Sequence, residues 1–157
     1  TNNFMNQAGV RTFEAAAFLR RNGADVVRVR KLFRDKLEDY KARAEAIQKA
    51  EIFKEYFAIS ECPAEGIESP TVVGAQAANE MLDIVGIKAS FVLTHLDDTI
   101  YFSARSIDEI NVQIMMEKMG GGGHRTIAGA QLKGATIEEA KVKLKEIITD
   151  MLEKGDI

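Results

Sequence analysis

The chain has little with which to do covalent or metal chemistry. Its 157 residues include one cysteine, Cys62, and two histidines, His95 and His124. A single cysteine excludes a disulfide framework and suits a reducing compartment. With no acid–base residues patterned around it, Cys62 reads as structural. There is no HExxH, no Ser-His-Asp arrangement and no paired-carboxylate constellation, so zincin, triad-hydrolase and two-carboxylate chemistries lack support. No run of about 18 apolar residues is present, which argues against a membrane-spanning segment. The opening "TNNFMNQAGVRTFEAAAFLRR" has neither a basic n-region nor a continuous apolar stretch, so it does not read as a signal peptide. It also lacks an initiator Met, and the chain is expected to be a fragment of something longer.

What is present is ordinary for a globular protein: 46% hydrophobic and 29% charged residues. The net charge of −3 does not indicate a general polyanion binder. The charge is uneven, however. Residues 20–54 carry 11 of the 21 basic residues against 6 acids. That asymmetry fits either a face for an anionic partner or a solvated helix laced with both signs.

Periodicity organises the chain. Residues 12–22 read as a helix with Phe13, Ala16, Ala17 and Leu19 on its apolar face, Thr12 as N-cap and Gly23 as stop. "ADVVRVRKLF" continues as a second helix or turn. Leu37, Tyr40, Ala44 and Ile47 then recur at three- and four-residue steps, predicting an amphipathic connector that ends near Glu51. From Phe53 the character changes. "FKEYFAISEC" reads as one strand. Ser69-Pro70 opens a helix that closes at Gly86. "KASFVLTHL" and "TIYFSARS" form a hairpin around Asp97-Asp98. "SIDE" at 106–109 reads as a capping box for a helix ending at Met119, "AGAQLKG" as a short strand, and "TIEE" at 136–139 as the box of the last helix. Ile137, Ala140, Leu144, Ile147 and Met151 supply that helix's apolar stripe. The predicted fold class is α/β, a mixed sheet flanked by helices and preceded by an N-terminal helical segment and a linker helix. The boundaries fall at 1–35, 36–52 and 53–157.

One stretch stands apart. "EKMGGGGHRTIAGAQL" places four glycines, Gly120 to Gly123, directly before His124. One glycine suffices for a helix C-cap. The others suit a concave nest of backbone N–H groups that binds an anion, with His124 at the rim. No Lys-Ser/Thr follows, so this is not a Walker loop. The run precedes a strand, which excludes a dinucleotide fingerprint. On the strand "YFSARS", Ser103 and Arg105 share a face with Tyr101, and arginine is a natural bidentate partner for phosphate. A helix N-terminus at Ser106–Ile107 would add donors. His95, Asp97 and Asp98 are too local to hold a metal and read as a hairpin turn.

"GGGGH" followed by "AG" and a strand, with "SARS" on an earlier strand, resembles the DHHA1 domain of the DHH phosphoesterase superfamily. "TNNF…RTFEAA" is similar to the end of the catalytic DHH domain in the membrane-anchored cyclic-di-AMP phosphodiesterase branch (GdpP/YybT type). The resemblance covers essentially the whole chain. It implies that residues 1–35 are a remnant of the DHH domain and 53–157 the substrate-binding DHHA1 domain. It implies contacts from Gly121, Gly122, Gly123 and His124 to phosphate, with Ser103 and Arg105 assisting and Asn2 and Asn3 lining the catalytic side. In the full-length parent it implies Mn²⁺ held by upstream Asp and His ligands, hydrolysis of the cyclic dinucleotide to linear pApA, and a membrane anchor with this part on the cytoplasmic side. No metal and no turnover are expected of this fragment. Its expected partners are a cyclic dinucleotide or short oligonucleotide and the upstream DHH domain, and a homodimer is compatible with both. The competing readings are a nucleic-acid-binding accessory module, like that of nanoRNases or the C-terminal domain of alanyl-tRNA synthetases, and an assembly module with a vestigial loop. A histidine directly after the glycines favours the phosphoesterase.

Overall fold

The computed structural model describes residues 8–107 and 109–157. The chain divides into two compact units, 1–36 and 37–157.

The first unit contributes helices α1 (Val10–Arg21) and α2 (Val26–Leu32). Thr12 lies inside α1 and Gly9 is the N-cap, so the cap expected at Thr12 falls three residues earlier. Gly23 reverses the chain at φ 92°. Asp25 caps α2, its carboxylate accepting from the N–H groups of Val27 (2.9 Å) and Arg28 (3.3 Å). No described residue of this unit is buried; Phe18, Val27, Leu32 and Phe33 are more than half exposed.

The second unit is a six-stranded mixed sheet between two helical layers. In chain order it contains α3 (Leu37–Gln48), β1 (Glu51–Phe53), β2 (Phe57–Cys62), α4 (Pro70–Met81), β3 (Ala89–Leu96), β4 (Thr99–Ser106), α5 (Val112–Lys118), β5 (Gly122–His124), β6 (Ile127–Lys133) and α6 (Ile137–Lys154). The spatial order is β1-β2-β3-β4-β6-β5. Only β2 and β3 are parallel, joined by the crossover through α4. Helices α5 and α6 cover one face, where Met115, Met116, Leu144, Ile148 and Met151 pack on Phe91, Ile100 and Phe102. Helices α3 and α4 cover part of the other, closing Ala58, Cys62 and Val92 beneath Ala46, Ala77 and Met81.

Four expectations are corrected. The segment read as one strand, "FKEYFAISEC", is a hairpin: Lys54 and Glu55 take left-handed φ of 48° and 71° and turn β1 back on β2. Of residues 36–52, read as a linker helix, only Leu37–Gln48 are helical, and they sit within the second unit, because Ala42 and Ala46 are small enough for α3 to lie against α4. "SIDE" opens no helix. Ser106 is still paired in β4 opposite Ala89, its hydroxyl donates to the Ile110 carbonyl (2.6 Å), and α5 begins at Val112 behind an Asn111 cap. The N-terminal donors expected at Ser106–Ile107 are therefore absent. Finally, the glycine run continues into a strand. The Thr136–Glu139 capping box of α6 and the Asp97 turn (φ 54°) form as expected.

Candidate functional site

The four glycines do different jobs. Gly120, at φ 84°, terminates α5; its N–H donates to Glu117 (2.9 Å) and that of Gly121 to Met116 (2.8 Å). These two donors are thus consumed by the cap, and the expected nest of free N–H groups does not form from them. Gly121 and Gly123 lie against β6. A Cβ on Gly121 would sit 2.1 Å from the Gly129 carbonyl oxygen, and one on Gly123 would sit 2.5 Å from the Ala128 Cα. Both must be glycine for β5 to pair. Gly122 is different: a Cβ there would meet nothing within 4 Å, and its φ is not left-handed. Neither conformation nor packing explains why it is glycine.

The register shows what Gly122 faces. Directly paired residues of neighbouring strands project to the same side of a sheet. One rung runs Val92–Ser103–Gly129–Gly122, and the next runs Ser90–Arg105–Ile127–His124. A third joins Tyr101 to Gln131. Val92 and Ser90 lie under α4. Beyond them the helix layer stops: Ile127, Gln131 and His124 are exposed, and Tyr101, Ser103, Arg105, Gly122 and Gly129 are half-buried. The opposite side of the same strands is closed by α5 and α6. The result is an uncovered half-face with a floor of Ser103, Gly129 and Gly122. Arg105 and His124 stand at one end of it, two strand spacings or roughly 10 Å apart.

Arg105 is the best-held group on this face. Its Nε donates to the Asn79 side-chain oxygen of α4 (2.9 Å) and its Nη1 to the Ala104 carbonyl (2.9 Å). Burial pushes its pKa below the ordinary arginine value, though arginine remains charged at neutral pH.

Of the residues expected from the sequence, Ser103, Arg105, Gly122 and His124 share the half-face. Gly121 and Gly123 serve its construction. Asn2 and Asn3 lie outside the described residues. His95 is exposed on β3, paired with Ile100 next to the turn. Among the described residues no three His, Cys, Asp or Glu side chains lie together as a metal site, and no helix is long and apolar enough to cross a membrane. Sequence reasoning quoted Gly129 only as part of the "AG" motif, with no role of its own, and did not single out Asn79. A glycine in mid-strand is a signal of close backbone approach, and a Cβ at Gly129 would lie 2.8 Å from the Phe102 carbonyl oxygen. Nothing local marks Asn79.

Comparison with known proteins gives a consistent picture. The model of the DHHA1 domain family matches residues 55–153. A cyclic-di-AMP phosphodiesterase PdeA of Listeria monocytogenes is 43% identical over 157 residues, 99% of this chain and 24% of that protein. A cyclic-di-AMP phosphodiesterase GdpP of Geobacillus thermodenitrificans is 42% identical over 156 residues, with the same coverage. The chain thus spans about a quarter of the length of these curated relatives. Among solved structures, an exopolyphosphatase-related protein from Bacteroides fragilis superposes with a TM-score of 0.79 at 19% identity, covering 93% of this chain and 45% of its own. That likeness establishes a common fold.

Proposed function

The chain belongs to the DHHA1 domain family, and from that premise we propose that it is the substrate-binding part of a metal-dependent phosphodiesterase that opens cyclic-di-AMP to linear pApA. The names of its relatives support the substrate. The observation that carries the reading is the alignment of Ser103, Arg105, Gly122 and His124 on one uncovered half-face by strand register.

Each residue has a physical role in this proposal. Arg105 supplies a fixed positive charge and N–H donors to phosphate oxygens. His124 donates a hydrogen bond from the opposite side, and Ser103 donates from the floor. Gly122 and Gly129 let the ligand approach the backbone without a side chain between. The manganese ions implied by the family resemblance find no ligand set among the described residues, and no step is derived through them. Their ligands are proposed to reside in the remainder of the polypeptide. The exposed apolar side chains of α1 and α2 are proposed to pack there too, since a helix pair that buries nothing gains little by folding alone.

The test is a titration of the isotopically labelled chain with cyclic-di-AMP, pApA and a short RNA, read by amide chemical shifts. Both dinucleotides are expected to move amides at 101–105, 122–124 and 127–131. A response to RNA alone would replace this reading with a nucleic-acid-binding module. A parallel incubation with cyclic-di-AMP and excess Mn²⁺ is expected to yield no product; linear pApA that disappears with a chelator would place a working metal site in this chain.

A further inference from the structure

Resting on that reading of the half-face, we propose that Asn79 is a positioning residue for Arg105: it fixes the guanidinium by accepting from Nε while leaving the positive charge uncompensated for the ligand.

The geometry separates these two tasks. The guanidinium is held on two sides, by the Asn79 side-chain oxygen and by the Ala104 carbonyl, each at 2.9 Å. Both acceptors are neutral. A carboxylate at position 79 would hold Nε equally well but would neutralise the arginine and compete with phosphate. The surrounding acids are arranged in the same sense. Glu80, the next residue on α4, is drawn to Arg43 of α3 (2.9 Å). Glu109 is drawn to Lys88 (2.6 Å), which precedes the strand carrying Ser90 opposite Arg105. Among the described residues no carboxylate pairs with Arg105. Burial moves its pKa downward. Arg105 is thus oriented, half-buried and, among the described residues, paired with no carboxylate. It is a preorganised anion receptor, because little side-chain entropy remains to be lost on binding.

The experiment compares cyclic-di-AMP affinity, by the same chemical-shift titration, with the melting temperature in five proteins: wild type, Asn79→Ala, Asn79→Asp, Arg105→Ala and the Asn79→Ala/Arg105→Ala double variant. Asn79→Asp is expected to melt at or above wild type and to bind about tenfold more weakly, a split that a merely structural asparagine would not produce. Asn79→Ala is expected to bind several-fold more weakly and to add nothing in the Arg105→Ala background. If Arg105→Ala binds weakly while both Asn79 variants bind like wild type, the positioning role is overturned and the half-face stands. If Arg105→Ala binds like wild type, or the wild type shows no shifts on the half-face, the reading of the half-face falls and the role of Asn79 with it.

Discussion

At the scale of single residues, the glycine run holds two positions that packing requires to be glycine, Gly121 and Gly123, and one, Gly122, that it does not. Gly121→Ala places a methyl group on the Gly129 carbonyl, and overpacking of this kind costs about 1–3 kcal/mol. A lower denaturation midpoint is expected, and with it weaker binding as β5 loosens. Gly122→Ala adds a methyl into open space. Its midpoint should match wild type while cyclic-di-AMP affinity falls. Equal destabilisation by the two changes would mean that Gly122 is structural after all. His124 is exposed, so His124→Ala should leave the melting temperature in place. Loss of a charge-assisted hydrogen bond of about 1.5–3 kcal/mol predicts binding weaker by roughly tenfold or more, measurable in the same titration.

At the scale of elements, α6 is fastened at its start. The Thr136 hydroxyl accepts from the Glu139 N–H (3.2 Å), and the Glu139 carboxylate accepts in return from the Thr136 N–H (2.8 Å). Thr136→Ala should destabilise the domain by about 1 kcal/mol, read as a lower urea midpoint. The box also gives a pH dependence with a definite sign. Hydrogen bonds from Thr136 hold the Glu139 carboxyl below its ordinary value. A carboxylate whose folded pKa is depressed stabilises above its unfolded pKa and loses that contribution as pH falls through the folded one. The wild-type advantage over Thr136→Ala should therefore shrink on acidification below about pH 4.5; a difference constant down to pH 2 would show that the carboxylate contributes nothing. Lys145 adds a second tie, from the middle of α6 to Glu51 of β1 at 2.7 Å, but a half-exposed pair of this kind adds little.

At the scale of the molecule, the division of the chain falls before α3, because Ala42 and Ala46 are buried while nothing described in residues 8–36 is. Brief trypsin treatment should cut at the exposed Arg30, Lys31, Arg34 or Lys36 and leave a resistant core starting near Leu37. A core starting near Lys54 would mean that α3 does not hold to α4. Cys62 reports on the same unit from within. It is 1% exposed, and burial pushes its thiol up to about 11. A group with a raised folded pKa stabilises below its unfolded pKa and loses this as pH rises towards the folded one. Stability should decline between about pH 9 and 11, and Cys62→Ala should flatten that part of the profile. Thiol reagents at pH 8 should label Cys62 only at the rate at which the domain opens.

The sequence by itself determined whatever depends on neighbours along the chain. Alternation along "YFSARS" put Ser103 and Arg105 on one face, the Thr136–Glu139 spacing set the start of α6, and a glycine run before a histidine singled out the segment on which the proposed binding role rests. Only the tertiary structure decided which glycine answers to which demand. That depends on β5 lying against β6, and β5 is a three-residue strand whose own sequence carries almost no pairing signal: of Gly-Gly-His only the last residue has a side chain with which to set a register. The same holds for Asn79, which sits 26 residues from Arg105 and meets it only because the α4 crossover lays the helix over β3 beside β4. Alternation is a local property of the backbone and can be read directly. Register, close approach and the partner of a buried charge are set by packing between segments distant in sequence, where each residue's meaning depends on what the fold places against it.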